Sequence, residues 1–198
     1  MGLPMRLRNP SRKSGFTLIE LMVTLAVAAI LLVVAVPSFV EFIDKARLKG
    51  VADGVVDFVN DARVESVKQG TDVAVAFGGT ITAWCVGANA AVISTANPGD
   101  AVIPAAIPCD CSTASSCTIG GQQKAFETAS IKGVELSAIP ASVTFDSRLG
   151  TVKSLGTTTA TLSSPQKMFD LRLTVSPLGH VGLCVPTGSR AISGYSSC

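Results

Sequence analysis

Phe16–Ile43, F-T-L-I-E-L-M-V-T-L-A-V-A-A-I-L-L-V-V-A-V-P-S-F-V-E-F-I, contains only two charged residues, Glu20 and Glu41. An apolar run of this length can cross a bilayer as a helix, which satisfies its backbone N–H and C=O groups within the segment. Upstream lie Arg6, Arg8, Arg12 and Lys13, with no acidic residue among them. The positive-inside rule therefore keeps the leader in the cytoplasm and sends the chain beyond the apolar run to the far side. A secretory signal peptide shares this general plan, but the run is longer than a signal core and no convincing small-x-small cleavage site follows it before the helix-compatible run that begins F-V-E-F-I-D-K at Phe39. Glu20 also sits inside the apolar boundary, where a lone carboxylate is costly to desolvate and calls for a partner.

The rest of the composition is consistent with export. Hydrophobic residues make up 47% of the 198 residues and charged residues 15%, an apolar excess concentrated near the N-terminus. The formal charge is +2, but four of the sixteen basic residues precede Gly15; removing them leaves twelve against fourteen acidic residues, near −2. Net charge thus gives no support to a generally basic nucleic-acid-binding surface. The six cysteines, Cys85, Cys109, Cys111, Cys117, Cys184 and Cys198, all lie beyond the apolar run, an even set that fits disulfides in an oxidising compartment.

Helical patterning continues past Ile43. Leu48, Val51, Val55, Phe58, Val59 and Ala62 recur at three- and four-residue spacing, with Lys49, Asp53, Asp57, Asp61 and Glu65 mostly off that stripe. A helix from Phe16 to about Gln69 would be roughly 80 Å long, so its second half needs a globular head to dock on. Pro37 removes one backbone donor and predicts a kink or local unwinding near residues 33 to 37. Gly70 ends the pattern.

Beyond it, short apolar runs divided by Gly, Pro, Ser and Thr predict a mainly β head. Thr71–Phe77 and Thr80–Val86 read as a hairpin turning at Gly78-Gly79. Further strands are expected at Ser130–Leu136, Ser142–Phe145, Thr151–Leu155, Leu171–Val175 and Val181–Val185, and a long irregular loop over 87–123. The expected fold class is α+β: a long N-terminal helix, membrane-spanning in its first half and amphipathic in its second, packed on a small antiparallel β-sheet head. The corresponding segments are a cleaved leader 1–15, an apolar half-helix 16–43, an amphipathic half-helix 44–69 and a head 70–198.

The string K-S-G-F-T-L-I-E-L-M-V-T-L-A from Lys13 onward resembles the prepilin signature of type IV pilins and type II secretion pseudopilins. The resemblance implies a membrane prepilin peptidase that cuts after Gly15 and methylates the new amine of Phe16. Glycine suits that place because, lacking a Cβ, it lets a peptidase approach the backbone and interrupts helix beside the scissile bond. The same resemblance makes Glu20 an assembly residue whose carboxylate meets the Phe16 amine of a neighbouring subunit. Leaving either charge alone in an apolar bundle costs about 3–5 kcal/mol, which penalises a wrong axial stagger. Pilins similar to this one also carry a proline where Pro37 stands. The expected partners are other pilin subunits, the prepilin peptidase and the inner membrane before assembly, with a periplasmic head that then joins a pilus or pseudopilus.

R-L-K-G-V-A-D from Arg47, A-R-V-E-S-V-K-Q-G-T-D-V-A-V from Ala62 and Trp84 on the hairpin resemble the H-type pseudopilin and FimT/FimU minor-pilin group, whose members prime or tip a filament. The pattern V-S-P-L-G-H-V from Val175 extends that likeness, while Ala88-Asn89-Ala90 departs from it where a second aromatic is usual. A bridge between Cys184 and Cys198 is implied by the resemblance; closing such a loop would stabilise the fold by about 3 kcal/mol. For Cys85, Cys109, Cys111 and Cys117 the spacing favours two loop-stapling disulfides over a zinc site, because the paired C-x2-C form is missing; their connectivity stays open. No cofactor or metal is expected. Some FimT-like pilins bind DNA through a G-R-x-R motif in the C-terminal loop. Here Gly188-Ser189-Arg190-Ala191 offers Arg190 alone, so nucleic acid is a possible but not favoured partner. His180, the single histidine, reads as a turn or surface residue, and with no G-x-S-x-G or Walker motif present an enzyme is not expected.

Overall fold

A computed structural model describes residues 15–91, 106–113, 115–126, 133–138 and 142–198. The leader residues 1–14, the middle of the expected loop and the start of the strand expected at Ser130 lie outside them. The chain divides into two compact units, Met1–Val40 and Glu41–Cys198.

A single helix, α1 (Leu18–Gln69), runs from the first unit into the second. Thr17 starts it: its hydroxyl accepts from the Glu20 amide at 3.3 Å and its carbonyl from the Leu21 amide at 3.2 Å. Thr17 thereby caps one of the orphan donors of the first turn. Pro37, where a kink or local unwinding is expected, lies inside this helix. At the far end Gly70 takes a φ of 61°. The Gly70 amide reaches Val67 O at 3.4 Å and the Thr71 amide reaches Ser66 O at 3.2 Å. This is a Schellman ending, which a Cβ at Gly70 would strain.

In the second unit the strands are β1 (Val73–Gly79), β2 (Trp84–Ala90), β3 (Thr118–Ile119), β4 (Gln122–Gln123), β5 (Ala125–Phe126), β6 (Glu135–Ala138), β7 (Val143–Phe145), β8 (Thr158–Ser163), β9 (Asp170–Val175) and β10 (Val181–Cys184). They form one four-stranded sheet in the order β5-β2-β1-β7, a second in the order β10-β9-β8-β6, and the small hairpin β3-β4; all pairings are antiparallel. The fold is thus one long N-terminal helix with antiparallel sheets.

The buried stripe Leu48, Val51, Ala52, Val55, Val59 and Ala62 joins Val73, Val75, Trp84 and Val86 of the first sheet and Leu162, Leu171 and Leu173 of the second in one core. Phe58 is only partly buried against it. The indole of Trp84 donates to Val134 O at 2.8 Å, which satisfies its one polar atom inside the core.

Several expected elements differ. The β1–β2 hairpin does not turn at Gly78-Gly79: Gly79 pairs with Trp84 and the turn is Thr80–Ala83. Gly79 has a φ of 92°, and a Cβ there would lie 2.2 Å from Ala83 O, so the second glycine closes the strand rather than forming the turn. Strand β2 continues to Ala90, and β3 and β4 lie within the expected loop 87–123, which is therefore not wholly irregular. Thr151–Leu155 is not a strand. Only Val152 makes a bridge, to Phe145, and Leu155 is 98% exposed. The neighbouring strand is β8, T-T-A-T-L-S, whose Ala160 and Leu162 alternate inward.

Arg63 fastens the helix to both sheets. Its Nε donates to Gly150 O at 2.7 Å, in the turn after β7, and its Nη2 to Leu178 O at 3.3 Å, in the turn before β10. Gly179, φ 78°, makes room for the guanidinium, since a Cβ would stand 2.9 Å from Nε. Hydrogen bonds from a charged donor to carbonyls contribute about 1.5–3 kcal/mol. Arg63→Met is expected to lower unfolding free energy by about 2 kcal/mol, read as a reduced urea midpoint at unchanged slope with the disulfides intact.

Candidate functional site

In the first unit the sequence-derived processing pair, Gly15 and Phe16, precedes the helix. A Cβ at Gly15 would meet nothing within 4 Å, and Phe16 is 81% exposed. Both residues lie outside the helix. Glu20 lies one turn on, exposed, and among the described residues its carboxylate joins no ion pair. Thr17 and Glu20 stand at the spacing of a capping box, a second local signal for the helix start. From Leu18 to Val40 the described side chains are exposed and almost all apolar. The helix is long and apolar enough to cross a membrane. Pro37 lies in this same exposed stretch.

In the second unit the cysteines form Cys85–Cys111, Cys109–Cys117 and Cys184–Cys198. The first two share the outer face of β2. Trp84, Val86 and Ala88 point to the core, while Cys85 lies on the opposite face with Cys109, Cys111 and Cys117 packed beside it. This covers one face of the β1–β2 ribbon with the segment from Ala106 to Ile119. Cys109 and Cys111 take different partners because one reaches across to the ribbon and the other closes its own loop. Gly87 makes the arrangement possible: a Cβ there would stand 2.2 Å from the Cys117 sulfur and 2.9 Å from that of Cys109.

Cys184–Cys198 closes the C-terminal loop, which is laid along the start of the second unit's helix. Lys49 Nζ donates to Ser193 O at 2.6 Å, the Tyr195 hydroxyl donates to Asp53 at 2.9 Å, and Ile192 is buried. Arg190 is an ion-pair partner of Glu41 at 3.5 Å, and its guanidinium stacks 5.3 Å from the Phe169 centroid. Arg190 is thus engaged within its own chain. Burial, together with the bond to Asp53, raises the Tyr195 phenol to about 12. His180 is exposed in the turn before β10, where its amide donates to Ser176 Oγ at 3.1 Å. Among the described residues no group of three or more potential metal ligands is assembled.

Sequence reasoning does not reveal Arg63, Gly87, Lys49 or the Tyr195–Asp53 bond. Arg63 is one of several polar residues on an amphipathic helix, Gly87 one of many glycines, and the other contacts join residues more than a hundred positions apart.

Residues 10–36 match the prokaryotic N-terminal methylation motif. The matched residues cover the start of the long helix α1 and the segment before it. No curated protein sequence matches the chain. Among solved structures, the type IV minor pilin FimU of Pseudomonas aeruginosa is similar at TM-score 0.45 and 14% identity, over 72% of this chain and 91% of that one. The minor pseudopilin EpsH of the Vibrio cholerae type 2 secretion system is similar at TM-score 0.46 and 12% identity, over 70% and 97%. Likenesses of this size carry no functional argument.

The close approach at Gly87 makes Gly87→Ala incompatible with closure of Cys109–Cys117, which should appear as a pair of alkylatable thiols in the unreduced, denatured chain. The raised phenol of Tyr195 gives a stabilising contribution that is full below the ordinary tyrosine value of 10.0 and is lost as pH rises towards about 12, because the unfolded chain releases this proton first. Tyr195→Phe should flatten that part of a stability–pH profile.

Proposed function

We propose that the chain is a type IV pilus minor pilin, a structural subunit that primes or caps a filament, and that it reaches this role from an inner-membrane precursor with a periplasmic head. The carrying observation is the exposed apolar half-helix that bears the methylation motif, with Glu20 four residues after Phe16. Such a surface needs lipid before assembly and other apolar helices after it. A carboxylate without an ion pair among the described residues gives the register: it is satisfied only where a neighbour's N-terminal amine lies at the same depth. Adhesion, twitching motility or DNA uptake would then be a property of the whole fibre.

The residue pattern from Arg47 to Trp84 supports a second reading, a type II secretion pseudopilin, with the same processing and the same use of Glu20. DNA capture by the head is less favoured, since Arg190 is paired with Glu41 and stacked on Phe169. A gel shift that persists at physiological salt and is abolished by Arg190→Ala would reverse that preference.

Mass spectrometry of protein from sheared filaments and from membranes tests the main reading. The expected result is an N-terminus at methylated Phe16, with the sheared-fibre form lost in Glu20→Ala while the head stays folded and disulfide-bonded. Gly15→Leu should leave the leader attached. An N-terminus beyond Ile43 would overturn the reading.

A further inference from the structure

The apolar run ends at Ile43, and Lys45, Arg47 and Lys49 come directly after it on α1. At 1.5 Å per residue all three lie within about 9 Å of Ile43 along the axis. Lys45 and Lys49, four residues apart, share a face, and Arg47 stands on the other side of the helix.

The acids around them each have one partner, although the second carboxylate oxygen of Asp44 has none among the described residues. Glu41 pairs with Arg190 at 3.5 Å; Asp44, 3% exposed, accepts from the Gln166 amide at 3.1 Å; Asp53 accepts from Tyr195 at 2.9 Å. Among the described residues Lys45, Arg47 and Lys49 take part in no ion pair. The ammonium of Lys45 stands 4.8 Å over the Phe169 ring and that of Lys49 5.3 Å over Tyr195. The rings fix where these cations sit without neutralising them.

Farther along the helix the acids Asp53, Asp57, Asp61 and Glu65 outnumber the bases Arg63 and Lys68, although Asp61 pairs with Lys124 and Glu65 with Lys68. The charge is therefore ordered along the axis, positive beside the apolar run and negative away from it. An anionic plane at the end of that run would attract the near charges and repel the far ones. A nucleic-acid strand lying along the head would meet both.

We propose that Lys45, Arg47 and Lys49 form a collar that binds the phosphates of anionic lipid headgroups at the outer surface of the membrane before the subunit is assembled. The inference rests on the anchored reading and adds a partner to it. The collar holds the base of the head against the bilayer, and extraction into a filament has to release it.

The test uses the mature full-length chain in nanodiscs of phosphatidylcholine alone or mixed with phosphatidylglycerol, with acylation rates of Lys45 and Lys49 read by mass spectrometry. Acylation should slow several-fold in the anionic discs only and recover in high salt. Arg47→Gln should reduce the protection of Lys45 about fivefold, as expected for one cation near a charged surface. Equal rates in both discs would overturn the collar while leaving the anchor in place. Failure to co-purify with discs would overturn the anchored reading and the collar with it. Equal protection by inorganic phosphate, or by a short DNA duplex, in neutral discs would overturn the lipid assignment in favour of an anion or nucleic-acid site.

Discussion

The head depends on one constraint: the helix stripe of Leu48, Val51, Ala52, Val55, Val59 and Ala62 must be removed from water by two sheets at once. Each of these side chains is less than a tenth exposed, and the core they enter holds side chains from both four-stranded sheets. Neither sheet is large enough to make a core alone, since small sheets need a packed layer to be stable. The helix is therefore the shared layer, and the polar fastenings at Arg63, Asp53 and Lys49 determine its rotation and depth. The first half of the same helix has the opposite character, with apolar side chains that the chain itself leaves exposed.

How far each element is legible in the sequence depends on how local its signal is. The helix, its end at Gly70 and the inward stripe are patterns of three- and four-residue spacing and can be read directly. Strands β9 and β10 show alternation in L-R-L-T-V and V-G-L-C. Strand β8 is absent from the expected strands, although its β-branched threonines suit a pleated surface when Ala160 and Leu162 face inward. The Thr80–Ala83 turn differs from expectation because paired glycines mark tight turns in most hairpins, and only the three-dimensional approach of Ala83 O shows that Gly79 is needed one step earlier.

The expectations for the N-terminus rest on consecutive residues: basic leader, Gly15, Phe16 and Glu20 form one string. The pattern of Cys85, Cys109, Cys111 and Cys117 is legible only as a count. Connectivity depends on which face of β2 a residue occupies, and this comes from strand parity together with a loop whose path the sequence does not specify. Arg190 illustrates the same difficulty, since a lone arginine in a loop looks available for a ligand until Glu41 and Phe169 are found beside it.

Arg63 also has a mechanical meaning. It lies nearly two turns before the end of the helix and grips a turn beside each sheet, at Gly150 and at Leu178. Tension applied to the helix along its axis would load these bonds in shear and in parallel, and both sheets would resist together. With Lys49 and Tyr195 gripping the disulfide-closed C-terminal loop nearer the start of the head, a pulling force would be shared between two sites rather than peeling one strand at a time.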